Sequence, residues 1–351
     1  MEKKYIYYPF MVLAMTVALS SCDDFLDEMP DNRTELDTEA KITSMLVSAY
    51  PETNYALLAE MSSDNADDNG GTWTAYNKLQ EEAATWKDAT YKEEDSPYSL
   101  WNDCYKAIAA ANAALDAINT MGNPSSLDPQ RGEALLCRAY NHFVLVNIFS
   151  KAYSPKTSTT DLGIPYMTHL ETTVSPEYTR GTVAEVYEKI AADIEAGLPL
   201  LNDAIYSVPK YHFNKKAGYA FATRFYLYYV KDDKSNYDKA IQYATVVLTE
   251  NPTAMLRDWA TVGALSPNNS IRATAFINVS EKANLLLYST SSSWGRIHGP
   301  YGLGEKYTHN DMIANKETCK TISIWGGYSM LYFSIPSYQG LPKVIMGKMA
   351  E

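Results

Sequence analysis

The chain has 351 residues and a mass of 39.2 kDa, long enough for a large core. With 46% hydrophobic and 21% charged residues it has the composition of a folded protein rather than a disordered one. Its 42 acidic residues against 30 basic ones give a net charge of −12, which argues against a phosphate-backbone binder, since such a protein needs a basic face to release counterions.

The first element is an address. Lys3 and Lys4 precede a mostly apolar run from Tyr5 to Leu19, too short and too closely followed by acid to span a membrane. It ends in Leu19-Ser20-Ser21-Cys22, which resembles the lipobox of bacterial lipoproteins, and Asp-Asp-Phe-Leu-Asp-Glu follows at 23–28. Residues 1–21 are therefore expected to be a lipoprotein signal peptide, Cys22 the lipid attachment site, and 22–37 an acidic tether. The remaining cysteines, Cys104, Cys137 and Cys319, are odd in number and form no Cys-x-x-Cys, so no disulfide framework is expected. Cys104 and Cys137 sit among apolar neighbours and read as small buried residues.

Residues 38–252 read as a helical array. A short amphipathic segment over 38–50 stops at Pro51, and a second runs toward Met61. Residues 63–98 are polar and irregular and carry Trp73, Tyr76, Trp86, Tyr91 and Tyr98. Within them Asn65-x-Asp67-x-Asn69-Gly70 imitates an EF-hand loop, but Tyr76 stands at the twelfth position in place of a bidentate Glu, so no metal is expected. A long helix over 99–121 follows from Trp101, Tyr105, Ile108, Asn112, Leu115 and Ile118 at spacings of three and four. Asn112 breaks that stripe and is expected to make a structural hydrogen bond. Asp128-Pro129 opens the next helix. Leu135, Ala139, His142, Val146 and Phe149 lie on one of its faces and Leu136, Tyr140 and Phe143 beside it, so it should be buried on most sides, with His142 a satisfied core histidine.

Thr182-Val-Ala-Glu185 is a capping box, and Asn214 can cap another helix. Ala240 and Ala244, followed by Asn251-Pro252, resemble the second helix of a degenerate tetratricopeptide unit, whose partner helix lacks the expected Trp and Gly. The fold class is therefore mostly α: tetratricopeptide-like helical pairs in a solenoid scaffold, with long irregular loops and little β. Residues 253–351 read as a loop-rich ligand-binding segment with few helices and a strand near Phe276–Val279.

Gly-x-x-x-x-Gly-Lys, Gly-x-Gly-x-x-Gly, Gly-x-Ser-x-Gly and His-Glu-x-x-His do not occur in the chain. Aromatics in polar, glycine-rich loops do. The negative face of an indole or phenol suits the polarised C–H face of a sugar ring, while polar neighbours bond the hydroxyls. The candidate ligand-binding residues are therefore Trp73, Tyr76, Trp86, Tyr91, Trp294, Arg296, Tyr301, Tyr307 and Trp325, with Tyr328 and Tyr338 in the same run and Asn77, His298 and Asn310 as polar neighbours. The competing reading of each aromatic is that it anchors its own loop.

Several motifs carry a family resemblance in order and spacing. They are the lipobox with Asp-Asp-Phe-Leu-Asp, Trp101…Tyr105…Ile108…Asn112, Arg138-Ala139-Tyr140…Phe143 and Gly163-Ile164-Pro165. Arg180-Gly181-Thr182-Val183…Tyr187…Ile190…Asp193 and Ala217…Ala222-Thr-Arg224…Tyr226-Leu227-Tyr228 continue the series. Together they resemble the SusD/RagB family of outer-membrane nutrient-binding lipoproteins over most of residues 19–252. The resemblance implies a surface-exposed, lipid-anchored, non-catalytic protein that captures oligosaccharide and delivers it to a TonB-dependent, SusC-like transporter, with no cofactor and no nucleic acid. It also implies a longer chain, with the C-terminal part lacking here. A tetratricopeptide-type protein-binding scaffold and a helical glycoside hydrolase are the alternatives.

Overall fold

The computed structural model describes residues 36–68, 78–171, 176–265, 269–292, 306–309, 319–322, 328–331 and 343–346. The leader, Cys22, Trp73, Tyr76, Trp294, Arg296, Tyr301 and Trp325 lie outside the described residues.

Local chemistry sets the helix starts. Helix α1 (Glu39–Leu46) is capped by the Thr38 hydroxyl, which accepts the Lys41 N–H at 3.3 Å. Helices α2 (Ala56–Met61) and α3 (Lys78–Ala84) follow. Helix α4 (Pro97–Thr120) starts at Ser96, whose hydroxyl accepts the Ser99 N–H, with Pro97 in the first turn where its missing N–H costs nothing. Helix α5 is Asp128–Phe149, and α6 (Val183–Gly197) carries both bonds of the predicted capping box. Helix α7 (Lys215–Tyr228) is capped by Asn214, and α8 is Ser235–Leu248.

These helices pack in sequence: α4 on α5, α5 on α6 and α7 on α8, with α1 against α4 and α5. Helix α5 is buried along most of its length, as its two apolar faces require. It meets α6 where Gly132 faces Gly197; a Cβ on Gly132 would stand 2.9 Å from the Gly197 carbonyl oxygen. Ala240 is buried between α8 and α7, the small-residue contact expected of a tetratricopeptide-like pair.

A buried polar network locks the same helices. The Arg138 guanidinium binds Asp193 through two bonds of 2.7 Å and donates to Asn112 Oδ1 at 3.0 Å. Tyr166 donates to Asp193 at 2.6 Å, and Asn112 donates to the Met167 carbonyl at 3.2 Å. His142 Nε2 accepts the Met167 N–H at 3.0 Å, which leaves Nδ1 to donate to the Arg138 carbonyl at 2.8 Å. Asn112 and His142 thus have the structural roles expected of them. Cys104 and Cys137 are buried free thiols.

Two expectations are corrected. Residues 276–279 form no strand: Phe276 ends a short helix, α10 (Asn269–Phe276), which follows α9 (Trp259–Ala264). Asn284 pins the turn beyond it by donating to the carbonyls of Phe276 and Asn278, and this outweighs the local β propensity. Residues 63–98 are not wholly irregular either. Lys-Leu-Gln-Glu-Glu-Ala-Ala is a run of strong helix formers and makes α3. The described strands form two-stranded antiparallel pairs: β1 (Ala66–Asp68) with β3 (Tyr307–His309), β2 (Tyr288–Ser291) with β6 (Lys343–Met346), and β4 (Cys319–Ile322) with β5 (Tyr328–Leu331).

Candidate functional site

Helix α3 ends without a glycine. The N–H of Lys87 bonds the carbonyl of Glu82 at 2.9 Å, and that of Trp86 bonds Ala83 at 3.3 Å. This is a Schellman closure, whose left-handed position is usually taken by Gly; Trp86 occupies it at φ 54°. A bulky residue there is strained, and this one is also 79% exposed, so its indole gains little burial in return.

The exposed indole stands at the rim of a cleft of ≈ 420 Å³ between α2, α3 and the C-terminal end of α5. Leu58, Leu79 and Ala83 make one apolar wall, with Pro97 and Phe149 also lining the cleft. Phe149 is braced by Trp101, edge to face at 4.9 Å. Asn147 and Glu82 supply polar edges. Asn147 is held by its own bond to the Phe143 carbonyl and by the Tyr187 hydroxyl. Glu82 accepts the Thr90 hydroxyl and the backbone N–H groups of Thr90 and Tyr91, which hold its carboxyl below the usual range.

The structure divides the described candidates. Trp86 faces solvent over the cleft. Tyr91 packs against the cluster of Leu57, Met61, Leu79 and Ala83 while its backbone holds Glu82. Tyr307 is only 9% exposed and belongs to that cluster, bringing β3 beneath the cleft. Leu58, Asn147 and Phe149 were not legible as lining residues, because their approach to Trp86 is made across long stretches of sequence.

A family model described as "Starch-binding associating with outer membrane" matches residues 24–227, more than half of the chain. The chain belongs to the SusD-like family. Solved structures agree on the fold. A SusD superfamily protein from Bacteroides vulgatus is 19% identical with a TM-score of 0.60, over 89% of this SusD-like chain and 71% of that one. One from Bacteroides thetaiotaomicron is 20% identical with a TM-score of 0.51, over 73% and 53%. A laminarin-binding SusD-like protein is 18% identical with a TM-score of 0.52, over 84% and 63%. The SusD-like chain spans a little over half of the length of the Bacteroides thetaiotaomicron relative. No curated protein sequence matches it significantly.

Proposed function

We propose that this SusD-like protein binds oligosaccharide at the cell surface and passes it, unreacted, to a TonB-dependent transporter of the SusC type. Trp86 carries the reading. An indole held in a strained backbone position and left in water over an apolar cleft does little for folding and suits a sugar ring. The laminarin-binding relative and the outer-membrane description of the family support the same class of ligand. In this reading Trp73, Tyr76, Trp294, Arg296, Tyr301 and Trp325 complete the binding surface, and Cys22 holds the protein to the outer membrane. Glu82, the acidic residue of the cleft, has its oxygens engaged by Thr90 and Tyr91 and is held ionised, which makes it a poor general acid for glycoside cleavage.

The test is Trp86→Gly. Glycine relieves the left-handed strain, so the melting temperature should stay level or rise, by about 1 kcal/mol of stability at most. Binding of laminarin oligosaccharides, followed by calorimetry and affinity gels, should weaken roughly 5- to 30-fold, or about 1–2 kcal/mol. Unchanged affinity in a folded variant removes Trp86 from the site. Reducing ends released by the wild-type protein would favour the hydrolase instead.

A further inference from the structure

A second cleft, of ≈ 710 Å³, opens where the chain enters α7, and it shares no lining residue with the Trp86 cleft. Its size falls within the ~300–1,000 Å³ of ordinary small-molecule sites. Val47, Ser48, Tyr211, His212, Ser289 and Ser291 line it, among others.

Its floor is unusually well fixed. Glu133, on α5, is fully buried and accepts hydrogen bonds from the Tyr50 hydroxyl at 2.6 Å, the Tyr206 hydroxyl at 2.5 Å and His212 Nδ1 at 2.9 Å. Tyr206 stacks on the His212 ring at 4.0 Å and 13°. The carboxylate therefore sets both the orientation of the imidazole and its tautomer, with the proton on Nδ1. Nε2 lies on the opposite side of the ring and has no partner among the described residues, while the side chain is 14% exposed to the cleft. Next to it Tyr211 is 52% exposed, and its hydroxyl is also unpartnered among the described residues. Ser48, Ser289 and Ser291 are exposed, and each hydroxyl both donates and accepts. Glu52, the one carboxylate among the lining residues, is already paired with Lys106 at 3.2 Å.

We propose that this cleft is a second saccharide site, taking a neutral sugar with its C–H face on Tyr211 and a hydroxyl on His212 Nε2. The ligand class rests on the saccharide reading given above; the place does not rest on Trp86. An aromatic face, a fixed nitrogen and several hydroxyls match a ring with one apolar face and a hydroxyl edge, and with the nearby carboxylate paired, no ligand charge is called for.

The experiment is saturation-transfer NMR and calorimetry on the mature chain with a panel of neutral oligosaccharides that includes laminarin fragments. The proteins are wild type, Trp86→Gly, Tyr211→Ala, His212→Asn and the Trp86→Gly/Tyr211→Ala double variant. Asparagine retains a donor for Glu133 but has nothing at the position of Nε2. The Trp86→Gly protein should keep a weaker binding mode that Tyr211→Ala or His212→Asn reduces at least fivefold, and the double variant should show no saturation transfer. If Trp86→Gly alone abolishes all binding, if the residual binding ignores Tyr211→Ala, or if no sugar of the panel binds, the second site is rejected. Should Tyr211→Ala remove binding that Trp86→Gly leaves intact, the second site stands and the Trp86 cleft is rejected. Tyr211 is exposed, so its variant decides the matter even if His212→Asn fails to fold.

Discussion

His142 is enclosed within the helical array, with both ring nitrogens engaged and Tyr166 stacked on its face at 3.8 Å. Burial pushes its pKa down from 6.5 to about 3, because a charged imidazole has no water there and lies beside the Arg138 cation. The unfolded chain takes up this proton near pH 6.5, whereas the folded one refuses it until about pH 3. Stability from this group is therefore complete above pH 6.5 and declines as the pH falls through that window. Denaturant midpoints measured between pH 7.5 and pH 4.5 should fall less steeply for His142→Gln than for wild type; equal slopes would show that the histidine already titrates in the folded protein. Asp193 offers a sharper test of the same network. Asp193→Ala strands the Arg138 guanidinium and should cost about 3–5 kcal/mol. A loss under ~1 kcal/mol in urea denaturation would mean that water reaches Arg138 and replaces the carboxylate.

Helix α5 brings these residues together, and its burial depends on small side chains where neighbours cross. Gly132→Ala places a methyl 2.9 Å from the Gly197 carbonyl oxygen and 3.0 Å from Leu200 Cβ, both parts of the chain that cannot swing aside. The two helices must separate, at a cost of about 1–3 kcal/mol read as a lower melting temperature; a neutral result would show that α5 and α6 slide freely. Much at this scale was legible in advance. Thr182…Glu185 and Asn214 announce helix starts because capping is a local interaction between neighbours in sequence, whereas the Ser96-Pro97 start of α4 falls inside a stretch that reads as irregular. The apolar stripes interrupted by Asn112 and by His142 announced two buried faces and, correctly, polar groups with structural partners. Contacts between distant segments were not legible. Asn284 pinning the turn at Asn278, and Tyr307 joining the cluster under α3, depend on chain closures that no periodicity encodes. Trp86 was legible as an aromatic in a polar loop, but its left-handed backbone was not, since nothing in Ala-Ala-Thr-Trp-Lys asks for a Schellman closure.

At the scale of the whole molecule, the proposed surface location must be reconciled with a net charge of −12. A net negative charge gains nothing from anionic lipid headgroups, which attract basic segments. In the proposed reading attachment rests on Cys22, the thiol that directly follows Leu19-Ser20-Ser21. A single acyl chain gives only marginal, reversible membrane binding, so stable attachment requires the several chains of a mature lipoprotein on this one residue. In that reading the acidic run at 23–28 begins a tether that an anionic surface repels. Cys22→Ala removes every chain at once. Cells expressing it should show loss of palmitate labelling and of detergent-phase partitioning, with the protein left uncleaved or released as a soluble form. Sugar binding by the purified variant should be unchanged, because both clefts lie within residues 47–291. Labelling and partitioning that match wild type would show that Cys22 is not the anchor, while loss of sugar binding would mean that the tether takes part in the site.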